Sequence, residues 1–257
     1  MIKNIRFGIK IATSNFDFLP DIYKNKNLID FVEVIVLPDF KLGDINIIKR
    51  IKMPYAIHLP NSNYGIDLGD IKRNRKNIEF INNINQYRGV FKTLNPICYI
   101  IHPESGNIKL SIDNLKKFKI KPLAIENMPI KGIHGEALLG YSPRTLTEYF
   151  EKIKDLEFCF DINHAIKTAI SLKVDYIDFI KKFLTYKKPR IFHISGGNLD
   201  IEIDEHLSLE KGQYNIVEIK KFLLQYDSNV NLTFETPRNY KTKIKDDLKN
   251  MKFFLKA

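Results

Sequence analysis

The sequence predicts an α/β protein, a (β/α)8 TIM barrel formed by a single domain over residues 1–257. Eight short apolar runs recur along the chain, and segments with helical spacing and charged faces separate them. The runs are apolar without alternation, which is typical of parallel strands that are buried on both faces. Eight such units in a chain of 257 residues fit a closed barrel better than an open sheet.

The predicted strands are rich in residues that favour β structure. They are IRFGIKIA (5–12), FVEVIVL (31–37), YAIHLP (55–60), ICYIIHP (97–103), LAIENM (123–128), FCFDINH (158–164), IFHISGG (191–197) and NLTFETP (231–237). Helices are predicted from apolar residues at helical spacing, at 73–94, 142–156, 175–186, 215–226 and 243–255. The sequence contains no repeat, low-complexity tract or Gly/Ser-rich linker that would indicate a second domain.

The composition is that of a globular protein. Hydrophobic residues make up 44% and charged residues 28% of the chain, which excludes a disordered protein. No run approaches the roughly 20 apolar residues of a membrane helix, and the N-terminal segment lacks the apolar region of a signal peptide. We therefore expect a cytoplasmic protein with no membrane partner. Cys98 and Cys159 lie inside apolar runs and are interpreted as core residues.

The formal charge of +11 and the pI near 9.4 favour a polyanionic partner, because clustered Lys and Arg bind phosphate backbones. The lysines are spread along the whole chain beside abundant Ile and Asn, and Trp is absent. A general compositional bias explains this pattern as well as a binding surface does. The charge therefore shifts the interpretation only slightly towards nucleic acid.

Residues of metal-binding type collect at the predicted strand ends, which share one mouth in a TIM barrel. They are His58, His102, Glu126, Asp161 with His164, His193, and Glu235, joined by Asp204 and His206 from the long segment after the seventh strand. Five of the six histidines thus fall at one rim. Each residue alone has a structural explanation, and Asp161 could simply N-cap the next helix.

Taken together, these residues predict a metal centre, since burying so many ionisable groups in one mouth without a cation would be costly. His, Asp and Glu without Cys are the ligands of a catalytic zinc, manganese or iron site. Nine ligands exceed the needs of one ion. Two or three metals about 3.5–4 Å apart are suited to phosphoryl displacement.

The motifs around these residues resemble those of the endonuclease IV family of apurinic/apyrimidinic endonucleases (AP endonuclease family 2), within the xylose isomerase-like TIM barrel superfamily. In chain order they are HLPNSNYGIDLG, IHPES, AIEN, CFDINHA, FHIS, DEHLSLEKGQYN and FETP, from His58 to Pro237. The most distinctive are CFDINHA and the D-x-H segment. The resemblance covers most of the chain.

The resemblance implies a centre of up to three Zn²⁺ ions, with Mn²⁺ or Fe²⁺ as alternatives, in which Glu126 bridges two metals. The implied ligand sets are His58, His102 and Glu126; Glu126, Asp161, His193 and Glu235; and His164, Asp204 and His206. The implied activity is cleavage of DNA 5′ to abasic sites by metal-activated hydroxide, with Glu235 and Glu126 as catalytic residues. The implied partner is double-stranded DNA that contains abasic sites, bound by a monomer.

Three further residues are candidates for contacts with DNA. Tyr64 follows the third predicted strand, and Lys131 and Arg144 belong to a glycine-rich loop after the fifth. His134, in the same loop, is interpreted as an ordinary loop residue. The segment LPDFKLGD after the second strand lacks an arginine where members of the resembled family carry a basic loop.

Three alternatives remain open. A metal-dependent sugar or sugar phosphate isomerase or epimerase on the same barrel would use Glu126, Asp161, His193 and Glu235, so this quartet does not discriminate between the two classes. The other five candidate ligands exceed what such a site needs. A group of iron barrels that modify peptides also uses a D-x-H loop. A DNA- or RNA-binding protein with little catalysis is the third alternative.

Overall fold

The computed structural model describes residues 5–226 and 229–257. Its eight strands form a closed barrel in chain order, and each pairs in parallel with its neighbours, so that the last strand closes on the first. The strands are β1 (Ile5–Ala12), β2 (Phe31–Ile35), β3 (Tyr55–His58), β4 (Tyr99–Ile101), β5 (Leu123–Glu126), β6 (Glu157–Asp161), β7 (Ile191–Ile194) and β8 (Val230–Phe234). The predicted fold class is confirmed.

The helices surround the barrel. They are α1 (Leu19–Lys24), α2 (Leu42–Ile48), α3 (Asn74–Gln86), α4 (Arg88–Lys92), α5 (Ile108–Leu115), α6 (Pro143–Lys152), α7 (Ile162–Leu172), α8 (Tyr176–Tyr186), α9 (Ile216–Gln225) and α10 (Lys245–Lys256). The segment predicted as one helix over 73–94 is divided at Tyr87, whose backbone leaves the helical conformation. Within residues 5–226 and 229–257, no helix has the length and apolar character needed to cross a membrane.

Most strands end earlier than predicted. The sixth was expected to reach residue 164, but β6 ends at Asp161, and α7 follows directly. The side chain of Asp161 accepts a hydrogen bond from the backbone N–H of His164 at 2.8 Å, and this N-cap stabilises the first turn of the helix. Asp161 is therefore the N-cap of α7, which was the structural alternative considered for it from the sequence, and His164 lies on a helix.

Two apolar clusters occupy the two faces of the sheet. The smaller one fills the barrel interior and comprises Phe31, Ala56, Cys98, Ile100, Ala124, Cys159 and Ile191. Residues that alternate with these along the strands belong to the larger cluster, which also includes the inner faces of the helices. Both cysteines are buried and free, so their interpretation as core residues is confirmed. Gly8 on β1 leaves room for the Phe31 ring, which a Cβ atom there would meet.

Candidate metal centre

A layer of buried polar side chains lies directly above the apolar interior, at the C-terminal mouth of the barrel. Because side chains in a strand alternate between two faces, a residue two positions after an interior residue also points inward. The interior residues Phe31, Ala56, Ala124, Cys159 and Ile191 are followed in this way by Glu33, His58, Glu126, Asp161 and His193. On each of these strands the inward-facing polar residue therefore lies two positions after the inward-facing apolar residue, one layer closer to the mouth.

The first candidate ligand set joins β3, the end of β4 and β5. His58 Nε2 lies 3.4 Å from Glu126 Oε2, and His102 Nε2 lies 3.3 Å from the same oxygen. The other nitrogen of each ring is held from outside, by the Leu59 carbonyl and the Glu104 carboxylate, both at 2.9 Å. These partners only accept hydrogen bonds, so each Nδ1 carries a proton and each Nε2 faces Glu126.

The second set joins β5, β6, β7 and the end of β8. His193 Nδ1 lies 2.8 Å from Glu235 Oε1, 3.3 Å from Glu126 Oε1 and 3.9 Å from Asp161 Oδ2. His193 Nε2 donates to Glu33 Oε2 at 2.9 Å. This histidine therefore presents Nδ1 to the set, the opposite nitrogen to that of the first set. Histidine ligands in metal sites are commonly oriented by such an outer carboxylate.

The third set lies beside the other two and joins the first turn of α7 to the long loop after β7. His164 Nε2 is 3.3 Å from Asp204 Oδ2, and His206 Nε2 contacts the same oxygen. Their outer nitrogens donate to the carbonyls of Asn127 and Glu235, both at 2.8 Å. The structure thus brings all nine predicted ligands together in the three predicted groups, whose ligand atoms lie within 4.8 Å of one another in each group.

The donor atoms fit metal ions. Among the described residues, His58 Nε2, His102 Nε2 and Asp161 Oδ2 are buried without a hydrogen-bond partner, and all three belong to these sets. A buried polar atom without a partner is destabilising, and a bound cation would satisfy it. Nitrogen and carboxylate oxygen donors are suited to Zn²⁺, Mn²⁺ or Fe²⁺. Cys159 lies just below, with Sγ 3.5 Å from His193 Nε2, and adds a thiol to the surroundings.

The carboxylates raise the pKa of three of the facing histidines, His102, His164 and His206. Burial alone would lower the pKa of these rings, but the acidic neighbours outweigh it. Glu126 contributes to raising the pKa of His102 to about 10, and Asp204 contributes to raising that of His206 to about 10. The pKa of His164 is raised to about 9 by the acids around it, again against the effect of burial. Without metal, these three rings carry a proton on both nitrogens, and so a positive charge, at neutral pH.

Metal binding is therefore expected to release protons at about pH 7.5, because a metal must displace the protons on His102, His164 and His206. Below the raised pKa values proton and metal compete, so the apparent affinity rises with pH up to about 10, roughly tenfold per pH unit for each displaced proton. Zn²⁺ calorimetry in buffers of different ionisation enthalpy measures this release. An affinity that is constant between about pH 6.5 and 8.5 would contradict the expectation.

Two charged residues of the site were missed by the sequence analysis. Glu33, inside β2, is fully buried and accepts from Thr233 at 2.8 Å as well as from His193. Lys10 on β1 lies 3.3 Å from Glu33 Oε1 and also donates to Glu235. Burial would lower the pKa of Lys10, but the two carboxylates raise it, so that the ammonium stays charged. A charged residue flanked by apolar neighbours, in GIKIA and in FVEVI, was the signal that could have identified both.

The three residues proposed for DNA contact lie around the mouth rather than in its base. Tyr64 ends a 3₁₀ turn, Ser62–Tyr64, and is 40% exposed, and Arg144 is exposed on the first turn of α6. Lys131 lines the cavity at the mouth and pairs with Glu202 from the loop after β7. His134 is exposed, as expected of an ordinary loop residue. The structure thus leaves Tyr64 and Arg144 outside the immediate lining of the cavity.

The fold resembles that of several known proteins. The chain aligns with a D-tagatose 3-epimerase-like protein at a TM-score of 0.69 and 18% identity, over 98% of this chain and 97% of the other. For endonuclease IV from Thermus thermophilus the TM-score is 0.69 and the identity 16%, over 98% and 99%. For 3-keto-D-glucoside 4-epimerase from E. coli these values are 0.68 and 10%, over 98% and 100%.

At these identities the structural similarity concerns the fold alone, and it is equal for a nuclease and an epimerase. No curated protein is significantly similar to the chain. The model of one protein family, described as the xylose isomerase-like TIM barrel, matches residues 57–255, which include every candidate ligand. The chain belongs to the xylose isomerase-like TIM barrel family.

Proposed function

We propose that the protein is a metal-dependent phosphodiesterase of the endonuclease IV type, which cleaves double-stranded DNA 5′ to abasic sites. The observation that carries this proposal is the third ligand set, His164, Asp204 and His206, directly beside the other two. A mononuclear or dinuclear sugar site has no need of it. Adjacent metals clamp the attacking and leaving oxygens of a phosphoryl displacement, and this supports phosphodiester chemistry.

The proposed cofactor is Zn²⁺ at up to three positions, with Mn²⁺ or Fe²⁺ compatible with the same donors. When bound, such ions would activate water and polarise the phosphate. In this proposal Glu126 belongs to both the first and the second metal position, since its two oxygens face different sets. Asp204 would belong to the third position only, because His164 and His206 both face its Oδ2.

Glu235 and Lys10 are the residues that would act on the substrate. Both line the cavity at the mouth, and the ammonium of Lys10 donates to the Glu235 carboxylate. Glu235 would orient the attacking water as a carboxylate, because His193 and Lys10 hold its pKa well below the usual range against the effect of burial. Lys10, anchored below by Glu33, would present a fixed positive charge to a phosphate oxygen. Burial and Lys10 also lower the pKa of His58, so that this ring stays neutral and its Nε2 is free to bind a metal.

The proposed DNA contacts are Tyr64, Lys131 and Arg144, at the rim of the mouth. Tyr64 offers an exposed ring for stacking on a base, and Arg144 offers an exposed guanidinium for a phosphate. Lys131 would have to leave Glu202 to reach a phosphate. The net charge of +11 supports an anionic partner of some length.

Binding of an abasic duplex is expected to weaken steeply with salt. If the protein neutralises about five phosphates, counterion release predicts roughly a 500-fold loss of affinity between about 50 and 200 mM salt. Fluorescence anisotropy with a labelled duplex measures the slope of the logarithm of the affinity against the logarithm of the salt concentration. The Arg144→Ala variant is expected to reduce the magnitude of this slope by about one. A flat response to salt would instead indicate a small uncharged substrate.

A second candidate function is isomerisation or epimerisation of a sugar or sugar phosphate. One observation favours it: the Lys131 to Glu202 ion pair connects the loops after β5 and β7 beside the cavity that Lys131 lines, and a small substrate could bind without breaking this pair. The quartet Glu126, Asp161, His193 and Glu235 would serve this chemistry as well. Among the structures of similar fold, one is named a 3-keto-D-glucoside 4-epimerase and another a D-tagatose 3-epimerase-like protein.

The deciding experiment combines metal analysis with two substrate assays. The chain is purified without chelators, its Zn, Mn and Fe contents are measured, and it is offered a duplex with one tetrahydrofuran abasic analogue and a panel of ketoses and ketose phosphates. A cut 5′ to the analogue, lost on chelation and absent from an intact duplex, would support the phosphodiesterase. An uncut duplex together with turnover of a sugar would replace it with the second candidate.

A further inference from the structure

We propose that the ion pair between the buried Lys167 and the partly exposed Glu205 positions the third ligand set, and that metal binding at this set depends on the pair. The inference rests on the proposed metal centre, and it concerns residues that the sequence analysis left without a role. Lys167 lies one turn after His164 on α7, and Glu205 lies between Asp204 and His206. The pair therefore touches both segments that supply the third set.

Lys167 is fully buried, and all three of its ammonium protons have acceptors. Its Nζ donates to Glu205 Oε2 at 2.6 Å and to the carbonyls of Asn198 and Ile201, both at 2.9 Å. A buried lysine is tolerated only where its charge is compensated in this way. The surroundings of Lys167 therefore compensate its charge, and its ammonium connects three residues of the loop to α7.

Glu205 completes the arrangement from the side of the loop. Its Oε2 also accepts from the backbone N–H of Asn198 at 2.9 Å, and its Oε1 accepts from the Asn198 side chain at 2.7 Å. At the base of the loop, Gly196 and Leu207 exchange two backbone hydrogen bonds of 2.8 Å. Residues 197–206 thus form a loop that is closed at its base and fixed near its centre.

A second contact from α7 orients Asp204 itself. The amide of Asn163 donates to Asp204 Oδ1, and Asn163 is in turn held by the hydroxyl of Tyr214. Asp204 Oδ2 remains directed to His164 and His206. The same helix therefore supplies a ligand, the residue that orients Asp204, and the lysine that holds the loop through the carbonyls of Asn198 and Ile201 and the side chain of Glu205.

Removing the ammonium leaves the Asn198 and Ile201 carbonyls without this donor. Glu205 would keep its two hydrogen bonds from Asn198 but lose its compensating charge. Such groups are relieved by movement of the loop or entry of water. The loop carries two of the three ligands of the third set, whereas the first and second sets take no ligand from it. Loss of the pair is therefore expected to empty the third set selectively.

The test counts metal ions per chain by mass spectrometry for the full chain, purified without chelators and reloaded with Zn²⁺. The wild type is expected to hold about three ions and Lys167→Met about two, with the affinity of the remaining ions unchanged. Glu205→Gln, at a side chain that is 18% exposed, keeps the shape of the residue and is expected to weaken the binding of only one of the three ions, by about 10- to 100-fold. This second variant does not require a core position to be refilled.

Lys187→Met is the matched control. Lys187 is a partly buried lysine that donates to the Leu156 carbonyl at 2.5 Å, before the start of β6 and so at the opposite end of the barrel. The Lys187→Met variant should keep all the ions. Three ions held with wild-type affinity in both pair variants would overturn the positioning role alone, and loss of every ion from Lys167→Met would overturn its selectivity. A wild type with only two ions would overturn both this inference and the trinuclear centre.

Discussion

Glu235→Gln is expected to lower phosphodiester cleavage by at least about 10³-fold while the metal content stays close to that of the wild type. The amide keeps the shape of the side chain and an oxygen towards His193, but it loses the negative charge that would orient the attacking water. The backbone carbonyl that binds His206 is unchanged. Single-turnover cleavage of the abasic duplex and metal analysis of the same sample measure the two effects separately.

Glu210→Gln is a suitable control, because Glu210 is exposed, pairs with Lys249 at 2.5 Å and has no contact with the candidate ligands. It should retain full activity. Unchanged turnover in Glu235→Gln would remove this residue from the mechanism. Loss of activity together with all metal would instead make it a ligand only, with no separate role in handling the attacking water.

Glu126→Ala is expected to have the largest effect on metal content, reducing about three ions per chain to about one and abolishing cleavage. Glu126 Oε2 faces His58 and His102, and its Oε1 faces His193, so that one side chain belongs to two of the three sets. The third set does not use it. Metal analysis at saturating and at stoichiometric Zn²⁺ distinguishes lost sites from weakened ones.

Glu136→Ala provides the comparison for this change. Glu136 lines the same cavity, but its carboxylate accepts from the backbone N–H of His134 and belongs to none of the ligand sets. Its variant should keep all the ions and the activity. If Glu126→Ala also kept about three ions, the two metals would not share this carboxylate, and the assignment of the first two sets would have to be revised.

The barrel and its mouth were predictable because they depend on local patterns. Apolar runs of strand length alternate with helical segments throughout the chain, and each predicted strand overlaps an observed one. The strand ends were placed too late because residues such as Asn163 remain compatible with an extended run, whereas the N-cap of Asp161 begins a helix there. Such caps decide boundaries through one hydrogen bond, which hydrophobic periodicity does not report.

The supporting residues of the site could not be predicted because their partners are distant in the chain. Glu33 and His193 are separated by 160 residues, and Lys10 and Glu235 by 225. A strand-end rule finds ligands one strand at a time, but it gives no information about which side chains meet across the barrel. The buried Lys167 was hidden for the same reason, since its acceptors come from a loop more than 30 positions later.

The hydrogen bond from His206 to Glu235 has a consequence for how this site can diverge. The acceptor is the main-chain carbonyl, so replacing the side chain of Glu235 leaves it in place. The residue proposed to handle the attacking water can therefore change by one mutation while the loop that carries Asp204 and His206 keeps its anchor. A lineage could lose turnover and retain a metal-loaded mouth, and mutational drift at this position would leave a stable scaffold on which selection for a different reaction could act.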